Sequence, residues 1–247
     1  MITLLNTRPQ QQAIALSNLL RNEHIDFVEY PTLIIEKIDF SVKKCPRGVF
    51  FISRNAVIHF LSQISNPQDY FKQATVYAIG NATNEALAAH GISAISPPPP
   101  FNSLSLLKQL PDDLAGQDYL IIKGQGGLDD LANGLIKKKA RVTEIACYKR
   151  VASPFNDGAW FLFEQKKNGV ILIASLDSIE SLFATIPVKD QINLRKKTAI
   201  VFSVRIKEAM IKQGWLGDIL VTKEQSNQMI INTIKTIEKR VNHDIRK

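Results

Sequence analysis

The residues of this chain that can do chemistry are few and far apart. Tyr148 leads them: a phenol has a pKa near 10, so at neutral pH it donates a hydrogen bond or proton without first being recharged. Four other segments place a hydroxyl, a cation or a glycine where an apolar run gives way to a helical-period stretch. They are Thr7-Arg8-Pro9, Ser53-Arg54-Asn55, Gly80-Asn81-Ala82-Thr83 and Lys123-Gly124-Gln125-Gly126-Gly127. A helix start leaves backbone N–H groups free and carries partial positive charge, so each junction is a ready anion site. Thr7 can cap its helix, with Pro9 in the first turn. An ordinary cap explains any one of these junctions. The set together fits a ligand with several carboxylates or phosphates better than one phosphate.

Other chemistries lack their residues. After Gly124 and Gly126 the third glycine of a dinucleotide fingerprint would fall at Asp129, and no G-K-[ST] follows. Asp129-Asp130 suits the first turn of a helix, where carboxylates favour the dipole. There is no G-x-S-x-G, no H-E-x-x-H and no Cys–His nucleophile. His24, His59, His90 and His243 have no metal-ligand spacing, so a metal site is not expected. Cys45 and Cys147 read as reduced packing thiols. Lys137-Lys138-Lys139 reads as a solvated helix end, and Lys239–Lys247 as a charged, fraying tail. Basic residues are not interleaved with aromatics, so nucleic acid is not an expected partner.

The elements that must position these residues alternate. Ile2–Leu5, Phe27–Tyr30, Val49–Ile52, Thr75–Ile79, Tyr119–Ile122, Val170–Ile173, Ala199–Phe202 and Ile219–Val221 read as strands. Helical spacing follows over Gln10–Arg21 and from Asn55, Thr83 and Leu128. Fully apolar strands alternating with helices predict parallel sheets covered on both faces. The pattern also repeats. Gly48–Ser53 aligns with Val170–Ser175, and Ala78–Gly91 with Val201–Gly214 at an offset of about 123. More weakly, Leu4–Tyr30 aligns with Leu120–Ile145. Two copies of one α/β unit are too few for a solenoid. Chain order predicts one domain from 1–34 plus 153–247 and a second from 38–149, joined by strands at 30–37 and 145–152. A ligand is then expected in a cleft facing the carboxyl ends of both sheets, where Tyr148 would overlook it, with the lobes closing by hinge motion.

Composition narrows the class further. The 247 residues are 45% hydrophobic and 22% charged, the ordinary globular range. A chain this long buries a core without disulfides or metal. Its 31 Lys and Arg against 23 Asp and Glu give a net charge of +8, which bears on partners rather than fold. The opening MITLLNTRPQ lacks a cationic start and a small-residue cleavage site. The longest apolar runs are about eight residues, too short for a bilayer. A cytoplasmic protein, without membrane partner and without a heptad or apolar stripe demanding a dimer, is the expectation; it reads as a monomer.

In order and spacing these motifs resemble the uroporphyrinogen-III synthase family over nearly the whole chain. The carriers are Thr7-Arg8-Pro9, Phe51-Ile52-Ser53-Arg54-Asn55-Ala56-Val57, Ala78–Thr83, the Lys123–Gly127 loop and Tyr148-Lys149-Arg150-Val151. The resemblance implies two flavodoxin-like, Rossmann-like α/β domains joined by a two-stranded connector. It implies cyclisation of hydroxymethylbilane, a linear tetrapyrrole with eight carboxylates, with loss of water and inversion of the last pyrrole. It needs no cofactor. It assigns Tyr148 to loss of the hydroxyl. It places substrate contacts at Thr7, Arg8, Ser53, Arg54, Asn55, Gly80, Asn81, Thr83, Ser103, Lys123, Gly124, Gly126, Gly127, Ser175, Ser203 and Arg205. The chain departs from the family at Ser203-Val204-Arg205-Ile206-Lys207, where a G-P-T-T-A turn is usual, at Ala174, at Leu104 and at Lys123. The altered turn leaves a second reading, a relative that binds a tetrapyrrole or other polyanion without turnover. Retention of Tyr148, Ser53 and Thr83 argues against it.

Overall fold

The structure is a computed structural model that describes residues 1–42, 46–98, 102–127 and 129–244, with side chains through residue 241. Cys45, the expected helix start at Leu128, the side chain of His243 and the end of the basic tail lie outside the described residues. The chain divides into two compact units, Met1–Ile34 with Val151–Lys247, and Ile35–Arg150.

In chain order the elements begin with β1 (Thr3–Asn6), α1 (Gln10–Asn22), β2 (Asp26–Glu29) and β3 (Leu33–Lys37). There follow β4 (Gly48–Phe51), α2 (Arg54–Leu61), α3 (Pro67–Phe71), β5 (Thr75–Ala78), α4 (Asn81–Ala88) and α5 (Ser103–Leu107). Next come β6 (Asp118–Gly124), α6 (Asp130–Lys137), β7 (Arg141–Ala152), α7 (Asp157–Glu164), β8 (Gly169–Ile173) and α8 (Leu176–Thr185). The chain ends with α9 (Val188–Lys196), β9 (Thr198–Val201), α10 (Val204–Lys212), β10 (Ile219–Val221) and α11 (Asn227–Asp244).

One sheet has the order β10-β9-β8-β1-β2 and the other β3-β7-β6-β4-β5. Pairing is parallel throughout the first, and from β7 through β6 and β4 to β5 in the second. Period-two alternation sends neighbouring residues to opposite faces. Leu5, Ile171 and Ile173 enter one core cluster while Leu4, Val170 and Leu172 enter another. Phe51, Leu120 and Ile122 likewise separate from Phe50, Tyr119 and Ile121. Each buried Leu, Ile or Phe contributes roughly 1.5–3 kcal/mol, which explains why the strands read as unbroken apolar runs. No helix among the described residues is long and apolar enough to cross a membrane.

Strand order reverses between β1 and β8 in the first sheet and between β4 and β6 in the second. At such a reversal the connections leave to opposite sides and open a crevice beyond the carboxyl ends, where open α/β sheets hold ligands. Thr7-Arg8 and Ser175 follow the strands at the first reversal. Ser53 and Gly124 mark the second.

Several expected boundaries shift. Thr7 does not cap α1. Pro9 stands at that N-cap position, and the Thr7 hydroxyl donates instead to the Leu172 carbonyl, pinning β1 to β8. β4, β5 and β9 end one residue early, at Phe51, Ala78 and Val201, because the next residue already turns toward a helix. α4 starts at Asn81 rather than Thr83, since Gly80 at φ +90° makes the reversal two residues sooner. The lysine run is not simply solvated: Lys138 and Lys139 pair with Asp112 and Asp113 at 2.8 and 3.2 Å.

Candidate active site

The second unit gathers its chemistry around Tyr148. β6 and β7 run in register to Lys123 opposite Ala146, and then Gly124 lies opposite Tyr148. Cys147 is the extra residue of this bulge. It is buried, its thiol pushed up to about 12 by burial, and so it is a packing group. The bulge lays the Tyr148 ring over Gly124. A Cβ at 124 would stand 2.5 Å from the ring's Cζ and 2.9 Å from the hydroxyl, so any other residue there must displace the ring. The Gln125 amide donates to the Tyr148 carbonyl at 2.7 Å and ties the glycine loop to the same residue.

The Tyr148 hydroxyl lies 3.0 Å from Ser53 Oγ. Ser53 is the N-cap of α2 and accepts from the Ala56 amide at 3.1 Å. Arg150 Nη2 donates to the Tyr148 hydroxyl at 3.4 Å, with its guanidinium 5.6 Å from the ring centroid. The His59 ring lies 5.7 Å from the tyrosine ring, tilted by 30°, and burial lowers its pKa, which favours the neutral imidazole. Tyr148 as a whole is 2% exposed, packed into the core, while Ser53 is half-buried. Two hydroxyls that share one hydrogen bond retain one O–H between them for a third group. His59 was not singled out by the sequence, although its spacing of four from Asn55 places both on one face of α2.

The side chain expected to start the glycine loop has its partners inside the protein. Lys123 is 7% exposed and donates to Asp129 Oδ1 and Glu144 Oε1, both at 3.0 Å. Burial acts to lower its pKa, but the two carboxylates more than offset this and hold it above the ordinary lysine value. Lys123 therefore fastens the loop between β6 and α6 to β7. Beyond it, Gly126 and Gly127 are exposed at φ +76° and +97° with open space where a Cβ would be.

At the next strand end, the Asn81 and Ala82 amides open α4 on an exposed turn. Thr83 is buried and donates to the Ile79 carbonyl at 2.8 Å, so its hydroxyl proton is engaged locally. Arg54 is exposed and Asn55 buried in the first turn of α2. Ser103 opens the short α5, which Asn102 caps, and no contact among the described residues brings it to Tyr148.

The first unit repeats the design with other residues. Ser175 caps α8 by accepting from the Ser178 amide at 3.2 Å. Ser203 caps α10 by accepting from the Ile206 amide at 3.3 Å, so the altered turn still makes a regular helix start. Arg205 is exposed in its first turn. Thr7 is fully buried. Arg8, at the end of β1, is buried and reaches Phe202 and Asn227, neither of which the sequence had marked.

The model of the family described as uroporphyrinogen-III synthase HemD matches residues 14–231. The chain belongs to the uroporphyrinogen-III synthase family. The family's Salmonella typhimurium protein is 28% identical over 254 residues, covering 95% of this chain and all of that one. The Escherichia coli K12 uroporphyrinogen-III synthase is 28% identical over 196 residues, 76% of this chain and 78% of that one. Among solved structures, uroporphyrinogen-III synthetase from Helicobacter pylori superposes with a TM-score of 0.68 at 12% identity, over 96% of this chain and 98% of that one. A mutant uroporphyrinogen III synthase from Thermus thermophilus gives 0.60 at 16% identity, over 97% and 100%. These likenesses establish the two-sheet α/β fold. Family membership makes the chain an enzyme of tetrapyrrole synthesis, a cyclising lyase.

Proposed function

We propose that this chain closes hydroxymethylbilane into uroporphyrinogen III, with the Tyr148–Ser53 hydroxyl pair assisting loss of the substrate's hydroxyl. The observation that carries the assignment is the 3.0 Å contact between those hydroxyls at the β4/β6 reversal, over a glycine that leaves no room for a side chain. One O–H of the pair donates to the departing hydroxyl. The carbon–oxygen bond breaks, water leaves, and the pyrrole nitrogen lone pair stabilises the azafulvenium cation. The substituted carbon of the last ring attacks the cation's methylene carbon. Its original bond to the neighbouring methylene then breaks, giving a second azafulvenium. The last ring's free α-carbon closes on that methylene and loses its proton to the deprotonated hydroxyl pair, which leaves the ring inverted. The Arg150 donation to the Tyr148 hydroxyl offsets negative charge as the proton leaves. The exposed amides at Asn81 and Ala82, the Gly126-Gly127 turn, Ser175, Ser203 and Arg205 are the sites for substrate carboxylates. Holding the folded conformer is most of the catalytic task, because the cation also closes spontaneously without inversion.

The test supplies hydroxymethylbilane from porphobilinogen in place, with and without the protein, and separates the oxidised products by isomer. Isomer III replacing isomer I supports the reading. Isomer I alone, from folded protein, rejects it.

A further inference from the structure

His59 is an imidazole beside the reacting hydroxyls that the reaction above does not use. Its ring centroid lies 5.7 Å from that of Tyr148, with a tilt of 30°, in the range of packed aromatic rings. Its Nε2 is buried and has no hydrogen-bond partner among the described residues. A buried nitrogen without a partner costs stability, so the fold does not hold His59 through that atom. What His59 presents to Tyr148 is a flat ring. Burial lowers its pKa, so the ring stays neutral beside the Arg150 guanidinium, which approaches the same tyrosine ring.

The surroundings of Tyr148 show what that ring does. The phenol leans over Gly124 at the end of β6 and packs in the same core cluster as Ala56, Val57 and Phe60 of α2. It is held between a strand end and a helix. On the strand side the limit is backbone, and on the helix side one limit is His59. The helix is itself tied to the strand that carries the tyrosine. Gln63 Nε2 donates to the His59 carbonyl at 2.9 Å and to the Ile38 carbonyl at 3.1 Å. The Ile38 amide donates in turn to the Cys147 carbonyl at 3.0 Å, and the Cys147 thiol to the Ala56 carbonyl at 3.5 Å. These bonds fix the end of α2 against the residue before Tyr148. The hydroxyl contact with Ser53 depends on that spacing, because Ser53 caps the same helix. Without a ring at 59 the phenol gains room to swing away from Gly124 and Ser53.

We propose that His59 is a positioning residue for the reaction: its flat ring, braced through Gln63, is the wall that keeps the Tyr148 hydroxyl on Ser53. It acts through Tyr148 and not on the substrate. This rests on the Tyr148–Ser53 reading above and adds what sets the geometry of the pair. A flat apolar ring at 59 meets the requirement. A hydrogen-bonding chain of similar reach does not.

The test measures kcat and KM of the intact protein for isomer III formation above spontaneous closure, with hydroxymethylbilane prepared immediately before use. The variants are His59→Ala, His59→Gln and His59→Phe, each alone and combined with Tyr148→Phe. His59→Ala and His59→Gln should lower kcat about 3- to 30-fold with KM within about twofold, because a misplaced donor costs rate and not binding. In the Tyr148→Phe background the same changes should lower kcat by less than about twofold, since no phenol is left to misplace. His59→Phe should keep kcat within about threefold of wild type, because it keeps the packed ring. Thermal melting separates packing from positioning: a packing role alone lowers stability alike in both backgrounds and gives no coupling in kcat. Equal kcat losses with and without the Tyr148 hydroxyl overturn the proposal, as does folded His59→Gln at wild-type kcat. His59→Phe as slow as His59→Ala also overturns it, by moving the role from the ring face to the nitrogens. Should His59→Ala fail to fold, His59→Gln carries the comparison. The underlying reading is judged separately: Tyr148→Phe at the wild-type rate rejects the hydroxyl pair. Slow Tyr148→Phe beside folded His59→Ala at wild-type kcat rejects only the positioning role.

Discussion

At the scale of single residues the account rests on two hydroxyls and the glycine beneath one of them. Removing the phenol should slow turnover roughly ten- to a thousandfold, the range of a lost proton donor. Tyr148→Phe measured by single turnover against wild type checks this. Ser53→Ala also breaks the pair and loses a helix cap, so it should slow turnover too. If the two act as one donor, the double variant should be scarcely slower than Tyr148→Phe alone, whereas multiplicative losses would show two independent roles. Gly124→Ala is a sharper probe, because its methyl acts on the position of the Tyr148 ring while leaving both hydroxyls in the chain. Its methyl would sit 2.5 Å from the Tyr148 ring, and displacing the ring should cost about 1–3 kcal/mol of stability. A hydroxyl moved by about 1 Å can cost a hundredfold in rate, so thermal melting and rate should fall together.

At the scale of elements, the loop between β6 and α6 is held by a buried ammonium shared between Asp129 and Glu144. Lys123→Met should lower stability by about 1–2 kcal/mol, discounted because both carboxylates are partly exposed. Since the folded-state pKa of Lys123 is raised above 10.5, its stabilisation is present in full below that pH and lost as pH rises through the folded value. The gap in stability between wild type and Lys123→Met should therefore be constant near neutrality and close in strong alkali. Denaturant melts across pH would read it. This contact also marks what sequence patterns could and could not reveal. The strands, the parallel pairing and the glycine loop were legible, because alternation of buried strands with helices leaves its trace in local order. The Lys123 partners were not, because Asp129 and Glu144 converge on it only once β6 and β7 pair. The bulge at Cys147 that turns the Tyr148 ring onto Gly124 was hidden for the same reason. Thr7 was misread as a cap because a hydroxyl beside a helix start looks the same whether it serves the helix or the neighbouring strand.

At the scale of the whole molecule, a net charge of +8 meets a substrate of eight carboxylates. Exposed attractions between them are screened over roughly 10 Å at 0.1 M salt. Affinity for uroporphyrin III should fall about tenfold or more between dilute buffer and half-molar salt, and fluorescence titration would show it. Salt-independent affinity would mean that ring packing, not charge, dominates recognition. The repeated unit gives each sheet its own strand-order reversal, with different chemistry at the two. The second unit carries the hydroxyl pair. The first carries a buried cation and two serine caps.

If Tyr148 and Ser53 assist departure of the hydroxyl, loss of both must slow formation of isomer III. The most direct measurement is the isomer composition made from hydroxymethylbilane in the presence of wild-type protein, Tyr148→Phe and the Tyr148→Phe/Ser53→Ala double variant, each shown to be folded. The account predicts isomer III from wild type, and a shift toward isomer I in both variants as spontaneous closure overtakes the slowed enzyme. Wild-type yields and rates of isomer III from the folded double variant would contradict it.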